Sequence, residues 1–192
     1  MILAGGEATR LPGKLALEVG ELPMLARVYR NLSRGGPVRE IVLSCKATLP
    51  PALDALLPVP AVVDRWSRRG PLGGLLSTLA QMRSRWVFAA AGDAPFLDAA
   101  FVAALAAQRR SGDEAVVPAR VRDGVTQIEP LAALYDRLAF LREGLPVLRA
   151  GRGKLQLVID RLCARIVPVD DPLLFANVNT PDEYETYRSA GR

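Results

Sequence analysis

Histidine is absent from the 192 residues, which removes His-based triads and His metal ligands. Carboxylates, lysine, arginine and hydroxyls are left to carry any chemistry. The 2 cysteines, Cys45 and Cys163, lie far apart in apolar runs; they are too few for a disulfide framework and fit no zinc spacing. Aromatics make up only 6% of the chain and no basic stripe stands out. The formal charge of +5 therefore points to small polyphosphate ligands rather than nucleic acid. No apolar run reaches the length needed to span a bilayer, and the N-terminus has no basic region leading into a long apolar core. Neither nucleic acid nor a membrane is expected as a partner, and a cytoplasmic location is the expectation.

What is present is ordinary for a globular chain: 50% apolar and 23% charged residues, enough to bury a sizeable core. Residues 1–192 read as a single domain in which short β-rich runs alternate with helical ones. Strands are expected at Met1–Ala4, Glu40–Cys45, Ala61–Asp64, Trp86–Ala91, Ala115–Pro118, Ile128–Leu131 and Ala164–Val169. The apolar run WVFAAA at Trp86–Ala91 suits a strand buried on both faces. Helices are expected over Leu22–Leu32, Pro50–Leu57, from the Gly70–Gly74 turn to Met82, over Asp98–Arg109 with Asp98 as cap, and over Ala132–Glu143. Another follows Gly151–Lys154. Thr180, Pro181 and Glu183 form a capping-box signature for a last helix. This alternation predicts an α/β fold, a mostly parallel doubly wound sheet.

Four segments are candidates for chemistry. In Leu3–Lys14 a strand runs into paired glycines, which let backbone N–H groups approach a base or phosphate. Arg10 and Lys14 add positive charge for triphosphate oxygens. It is not a Walker A loop, since Ala8 replaces the required glycine and Leu15 the required Ser or Thr. In Gly92-Asp93-Ala94-Pro95 a carboxylate follows the end of a buried strand, where open α/β sheets bind ligands, and one carboxylate suits Mg²⁺. Asp64 leads through Arg65, Arg68 and Arg69 into Gly70-Pro71-Leu72-Gly73-Gly74, a possible anion site at a helix start. Asn177 and Asn179 precede the last helix. Each segment also has a plainer reading: a strand-to-loop turn, a Gly-Asp turn, a solvated basic face, an asparagine-rich loop.

Taken in this order, LAGG…R…GK (Leu3–Lys14), VVD (Val62–Asp64), GPLGG (Gly70–Gly74), GDAPFL (Gly92–Leu97) and NVNTPDE (Asn177–Glu183) resemble the molybdenum cofactor guanylyltransferase family. The stretch IEPLAALY (Ile128–Tyr135) is similar to its PLxALY segment, so the likeness spans essentially the whole chain. The resemblance implies a Rossmann-like fold of the nucleotide-diphospho-sugar transferase type. It also implies transfer of GMP from GTP to the phosphate of molybdopterin (the molybdenum cofactor), giving the guanine dinucleotide cofactor and pyrophosphate. By the same resemblance Leu3, Ala4, Gly5 and Gly6 hold the nucleotide through backbone groups, with Ser44, Asp64, Gly70 and Gly74 around it. Lys14 and Arg10 bind the triphosphate, and Asp93 binds Mg²⁺. Asn177, Asn179, Arg149, Arg152 and Lys154 receive the acceptor. Ser44 stands where the family usually has Asn, and the Gly6–Lys14 loop is shorter than usual.

A phosphate nucleophile is already ionised at neutral pH, so such a reaction needs positioning and cation clamping rather than a general base. The lack of histidine is no obstacle to it. Proteins that deliver the cofactor to this enzyme and accept it afterwards are expected partners. Two alternatives stand beside this reading. One is cytidylyl or other nucleotidyl transfer to molybdopterin, a sugar or a phosphoacid. The other is a non-catalytic nucleotide-binding homologue.

Overall fold

The computed structural model describes residues 1–5, 10–66, 70–122 and 125–189. The first elements are β1 (Ile2–Leu3), a 3₁₀ turn (Lys14–Ala16), β2 (Glu18–Val19), β3 (Leu22–Pro23), α1 (Met24–Ser33) and β4 (Leu43–Cys45). Next come α2 (Pro51–Asp54), β5 (Ala61–Val63), α3 (Gly70–Leu79), β6 (Trp86–Ala91) and α4 (Ala99–Ala107). The second half holds β7 (Ala115–Arg122), β8 (Val125–Ile128), β9 (Ala132–Asp136), α5 (Arg137–Arg149), α6 (Gln156–Ile159), β10 (Ala164–Pro168) and α7 (Pro181–Tyr187).

Among the described residues, eight strands form one sheet in the order β10-β7-β9-β6-β1-β4-β5, with β8 also on β7; β2 and β3 pair separately. Neighbours β6-β1-β4-β5 and β7-β10 are parallel, and only β8 and β9 run against the rest. The sheet is therefore mostly parallel, as expected. Leu72, Leu75, Leu76 and Leu79 of α3 pack with Phe140 of α5 and Val158 of α6 on one face. On the other face Leu25 and Val28 of α1 pack with Phe101 and Leu105 of α4. Each buried leucine contributes about 1.5–3 kcal/mol of transfer free energy, and covering both faces is what lets parallel strands form. No helix among the described residues is long and apolar enough to cross a membrane.

Four expectations need correction. The strand expected at Ile128–Leu131 lies earlier, as β8 (Val125–Ile128), because Glu129–Leu131 leave the ladder with β7. Ala132–Glu143 is not one helix: Ala132–Asp136 is β9, buried throughout between β6 and β7, and the helix starts after it. Asp136 makes the break, since its carboxylate accepts from the N–H groups of Leu138 (3.0 Å) and Ala139 (3.1 Å) at the start of α5. A short apolar run has no period that separates strand from helix; the flanking strands decide it. Leu22 and Pro23 belong to a hairpin with Glu18 and Val19, and the helix begins at Met24. Gly70–Gly74 is not a turn leading to a helix but the first half of α3.

The region between β8 and β9 bears on the site. The two strands follow one antiparallel path down β7, interrupted by Glu129-Pro130-Leu131. There the Ala91 N–H donates to the Leu131 carbonyl (3.0 Å), the Glu129 N–H to the Pro118 carbonyl (2.8 Å), and the Tyr135 hydroxyl to the Pro130 carbonyl (2.8 Å). These bonds fix the kink beside the end of β6.

Candidate active site

Strands β1, β4 and β6 end together, because they are parallel and in register. Their C-terminal ends open onto a cleft of ≈ 740 Å³ lined by Leu3, Ala4, Gly5, Lys14, Gly70 and Asp93, among others. This is the crevice where open parallel sheets take ligands. The backbone is drawn in tightly here. The Gly92 N–H donates to the Leu3 carbonyl at 2.9 Å, and a Cβ on Gly92 would lie 2.8 Å from that oxygen. Only glycine fits at position 92, so Asp93 leaves β6 directly alongside β1.

Asp93 carries the centre of the site. Its carboxylate forms a close ion pair with the Lys14 ammonium, which also donates to the Asn179 side-chain oxygen at 2.7 Å. The Asp93 carbonyl in turn accepts from the Val178 N–H at 3.0 Å. Gly13, with φ 69°, turns the chain so that Lys14 is buried, at 9% exposure. Asn179 is held from behind by Glu183, which accepts from the N–H groups of Asn179 (2.8 Å) and Thr180 (2.9 Å). The Asn179 N–H bond holds the Glu183 carboxyl below its ordinary value, with burial working against it.

A second cleft, ≈ 590 Å³, also reaches Asp93 and is lined by Glu129, Lys154, Asn177 and Asn179 with apolar walls. The two clefts share Pro71, Ala91, Asp93 and Leu131. A ligand in each would therefore meet at Asp93.

The remaining sequence-predicted residues fall as follows. Ser44 and Asp64 are buried and bonded within the protein. The Ser44 hydroxyl donates to the Gly74 carbonyl (3.1 Å), and Asp64 accepts from the Trp66 N–H (2.7 Å) and the Ser77 hydroxyl (3.2 Å). Cβ atoms on Gly73 and Gly74 would come 2.5 Å from the Trp66 carbonyl and 2.8 Å from the Ser44 hydroxyl. The GPLGG glycines thus let α3 close on the ends of β4 and β5, and Ser44 and Asp64 brace that contact. Arg10 is exposed. Arg149 and Arg152 are exposed and stand outside the walls of both clefts, whereas Lys154 lines the second. Gly6, Arg68 and Arg69 lie outside the described residues.

Two groups in the clefts were missed in the sequence. Lys46 follows β4 and lines the first cleft, with its backbone N–H and side chain against Gly5. Its position one residue past an apolar strand was the available signal. Glu129 lines the second cleft, paired with Arg120 of β7. Burial pushes its carboxyl up, and Arg120 opposes the shift.

The family model described as "MobA-like NTP transferase domain" matches residues 1–166. The chain belongs to this family. A molybdenum cofactor guanylyltransferase of Cupriavidus pinatubonensis is 30% identical over 98% of this chain and 95% of its own length. A probable molybdenum cofactor guanylyltransferase of Methanosarcina acetivorans is 31% identical over 97% of this chain and 88% of its own. Among solved structures, the MobA-like fold here matches molybdopterin-guanine dinucleotide biosynthesis protein A of Archaeoglobus fulgidus. The TM-score is 0.80 at 22% identity, over 97% of this chain and 95% of that one. The LAGG and GDAPFL motifs follow β1 and β6, strands that the sheet order makes neighbours.

Proposed function

We propose that the protein transfers GMP from GTP to the phosphate of molybdopterin, releasing pyrophosphate and forming the guanine dinucleotide cofactor. The observation that carries this reading is the junction of two clefts at Asp93, whose carboxylate pairs with the Lys14 ammonium while that ammonium also donates to Asn179. The names of the relatives at 30% and 31% identity support guanylyl transfer to this acceptor.

In this reading GTP lies in the first cleft, with backbone groups of Leu3, Ala4 and Gly5 along the nucleoside. The start of α3 at Gly70 and Pro71 lies on the same wall, where the helix dipole favours anionic groups. Ser44 and Asp64 act by bracing that helix against β4 and β5. Lys14 and Arg10 neutralise charge that develops on the leaving pyrophosphate. Molybdopterin lies in the second cleft, with Asn177 and Asn179 directing its phosphate toward the α-phosphorus and Lys154 adding positive charge. Arg149 and Arg152 are assigned to the approach rather than to contact.

The donor set fits Mg²⁺. Asp93 already holds a cationic group, the Lys14 ammonium, at the point where the two clefts meet. One carboxylate completed by substrate phosphates is a common magnesium environment. When bound, the ion polarises the α-phosphate and screens the two phosphate chains from one another. The chain's own part is to hold both phosphates in line and exclude competing geometries.

The test is transfer of α-labelled GMP to molybdopterin with Mg²⁺, run beside CTP, ATP and UTP. Dinucleotide formed from GTP alone, with pyrophosphate in equal amount, supports the reading. Dinucleotide formed from CTP and not from GTP contradicts it.

A further inference from the structure

The second cleft has a charge that phosphate chemistry leaves without a role. Asp93 is met by Lys14, and Asn177, Asn179 and Lys154 suit an anion. Glu129 does not: a carboxylate on the wall of a phosphate-binding cleft repels the phosphate unless it addresses another part of the ligand. It is also expensive to keep there, since its side chain is only 14% exposed. The protein keeps it by pairing it with Arg120, whose guanidinium in turn rests over the Phe175 ring, 5.6 Å from the ring centre. Arg120 is the only partner of the Glu129 carboxylate among the described residues. An ionised carboxylate has about four acceptor positions, so one guanidinium leaves acceptor capacity unused. The backbone beneath it is fixed by the bonds of the Glu129–Leu131 kink, and the cleft between is walled by Leu97, Pro130, Leu131, Leu155 and Phe175. The result is an apolar slot with a rigid hydrogen-bond acceptor on one wall.

We propose that Glu129, held in place by Arg120, reads the heterocyclic end of the acceptor by accepting hydrogen bonds from a ring N–H and its adjacent amino group. An aminopyrimidinone edge, such as that of a pterin, presents these two donors side by side and is flat enough for the slot. The inference rests on the acceptor class proposed above and assigns to Glu129 the choice of that class.

The experiment uses phosphate-free probes, so that contacts at Asp93 do not enter. A pterin, 6-hydroxymethylpterin, and its 2-oxo counterpart, 6-hydroxymethyllumazine, are titrated by fluorescence into the full chain and into Glu129→Gln, with GTP affinity and Tm as controls. The wild type is expected to prefer the pterin by about 10-fold or more, the worth of one charge-assisted hydrogen bond. In Glu129→Gln the preference is expected to fall to within about threefold while GTP affinity holds. A purely structural role for the Glu129–Arg120 pair would weaken both probes alike and leave their ratio intact; that result overturns the inference. If Glu129→Gln does not fold, Glu129→Asp serves: a pterin preference equal to that of the wild type, with the carboxylate withdrawn by one methylene, overturns it as well. The two readings fail separately. Transfer of GMP to molybdopterin with an unchanged probe ratio removes only the role of Glu129, whereas no transfer and no pterin preference in the wild type removes the proposed function.

Discussion

Lys14 and Asp93 stand 79 positions apart in the chain and form an ion pair whose ammonium also reaches Asn179, 165 positions from Lys14. One cation thus joins the glycine loop, the end of β6 and the loop before α7. The contact unites the residues assigned to the donor nucleotide with those assigned to the acceptor.

Replacing Asp93 with Asn keeps the size of the side chain and removes its charge. The Val178 bond to the Asp93 carbonyl is made by backbone and survives. Transfer is expected to fall by about 10³-fold, in line with the loss of one preorganised charge-stabilising group. Steady-state kinetics check this, with circular dichroism confirming the fold.

For Lys14→Met the expected effects are twofold. Loss of a charge-assisted contact to the triphosphate raises KM for GTP by about 10-fold or more. A partly buried Asp93 left without its partner costs about 1–3 kcal/mol of stability, below the range for fully buried pairs because both side chains keep some solvent. Urea denaturation and GTP titration measure the two effects independently.

Gly74→Ala places a Cβ against the Ser44 hydroxyl and is expected to cost about 1–3 kcal/mol. Removing that hydroxyl with Ser44→Ala should recover part of the cost. A double-mutant cycle by denaturant unfolding is expected to give a coupling of at least about 0.5 kcal/mol. Additive effects would place the strain elsewhere in α3.

Glu183 makes the loop before α7 sensitive to acid. Its folded pKa lies below the ordinary 4.5, chiefly through the Asn179 N–H. Its contribution is therefore complete above pH 4.5 and is lost as pH falls through the folded value. Glu183→Ala should cost about 0.5–2 kcal/mol near neutrality, as for a lost helix cap. The gap from wild type should close in acid. Urea midpoints collected down the acid range check the sign.

The sequence was most legible where local chemistry decides structure. Trp86–Ala91 is a strand over the residues read for it, Asp98 caps α4 through the Phe101 N–H (2.8 Å), and Thr180 with Glu183 forms the capping box. Legibility ended where tertiary neighbours decide. Ala132–Asp136 takes its strand form from β6 and β7, and the Glu18–Pro23 hairpin depends on Gly20 at φ 68° between strands of two residues each. At the site, the types of Lys14, Asp93 and Asn179 could be read, but their convergence on one point could not, since it requires three distant segments to be folded. In the GPLGG segment the sequence did not show a packing role, yet Gly73 and Gly74 let α3 lie against Trp66 and Ser44.

The most direct measurement is single-turnover transfer of labelled GMP from GTP to molybdopterin by wild type and Asp93→Asn, with Mg²⁺ supplied and withheld. Rapid transfer should require both the ion and the carboxylate, so that wild type without Mg²⁺ and the variant with it are alike slow. Transfer by Asp93→Asn at the wild-type rate, with the same response to Mg²⁺, would contradict the role given to Asp93 at the meeting point of the two clefts.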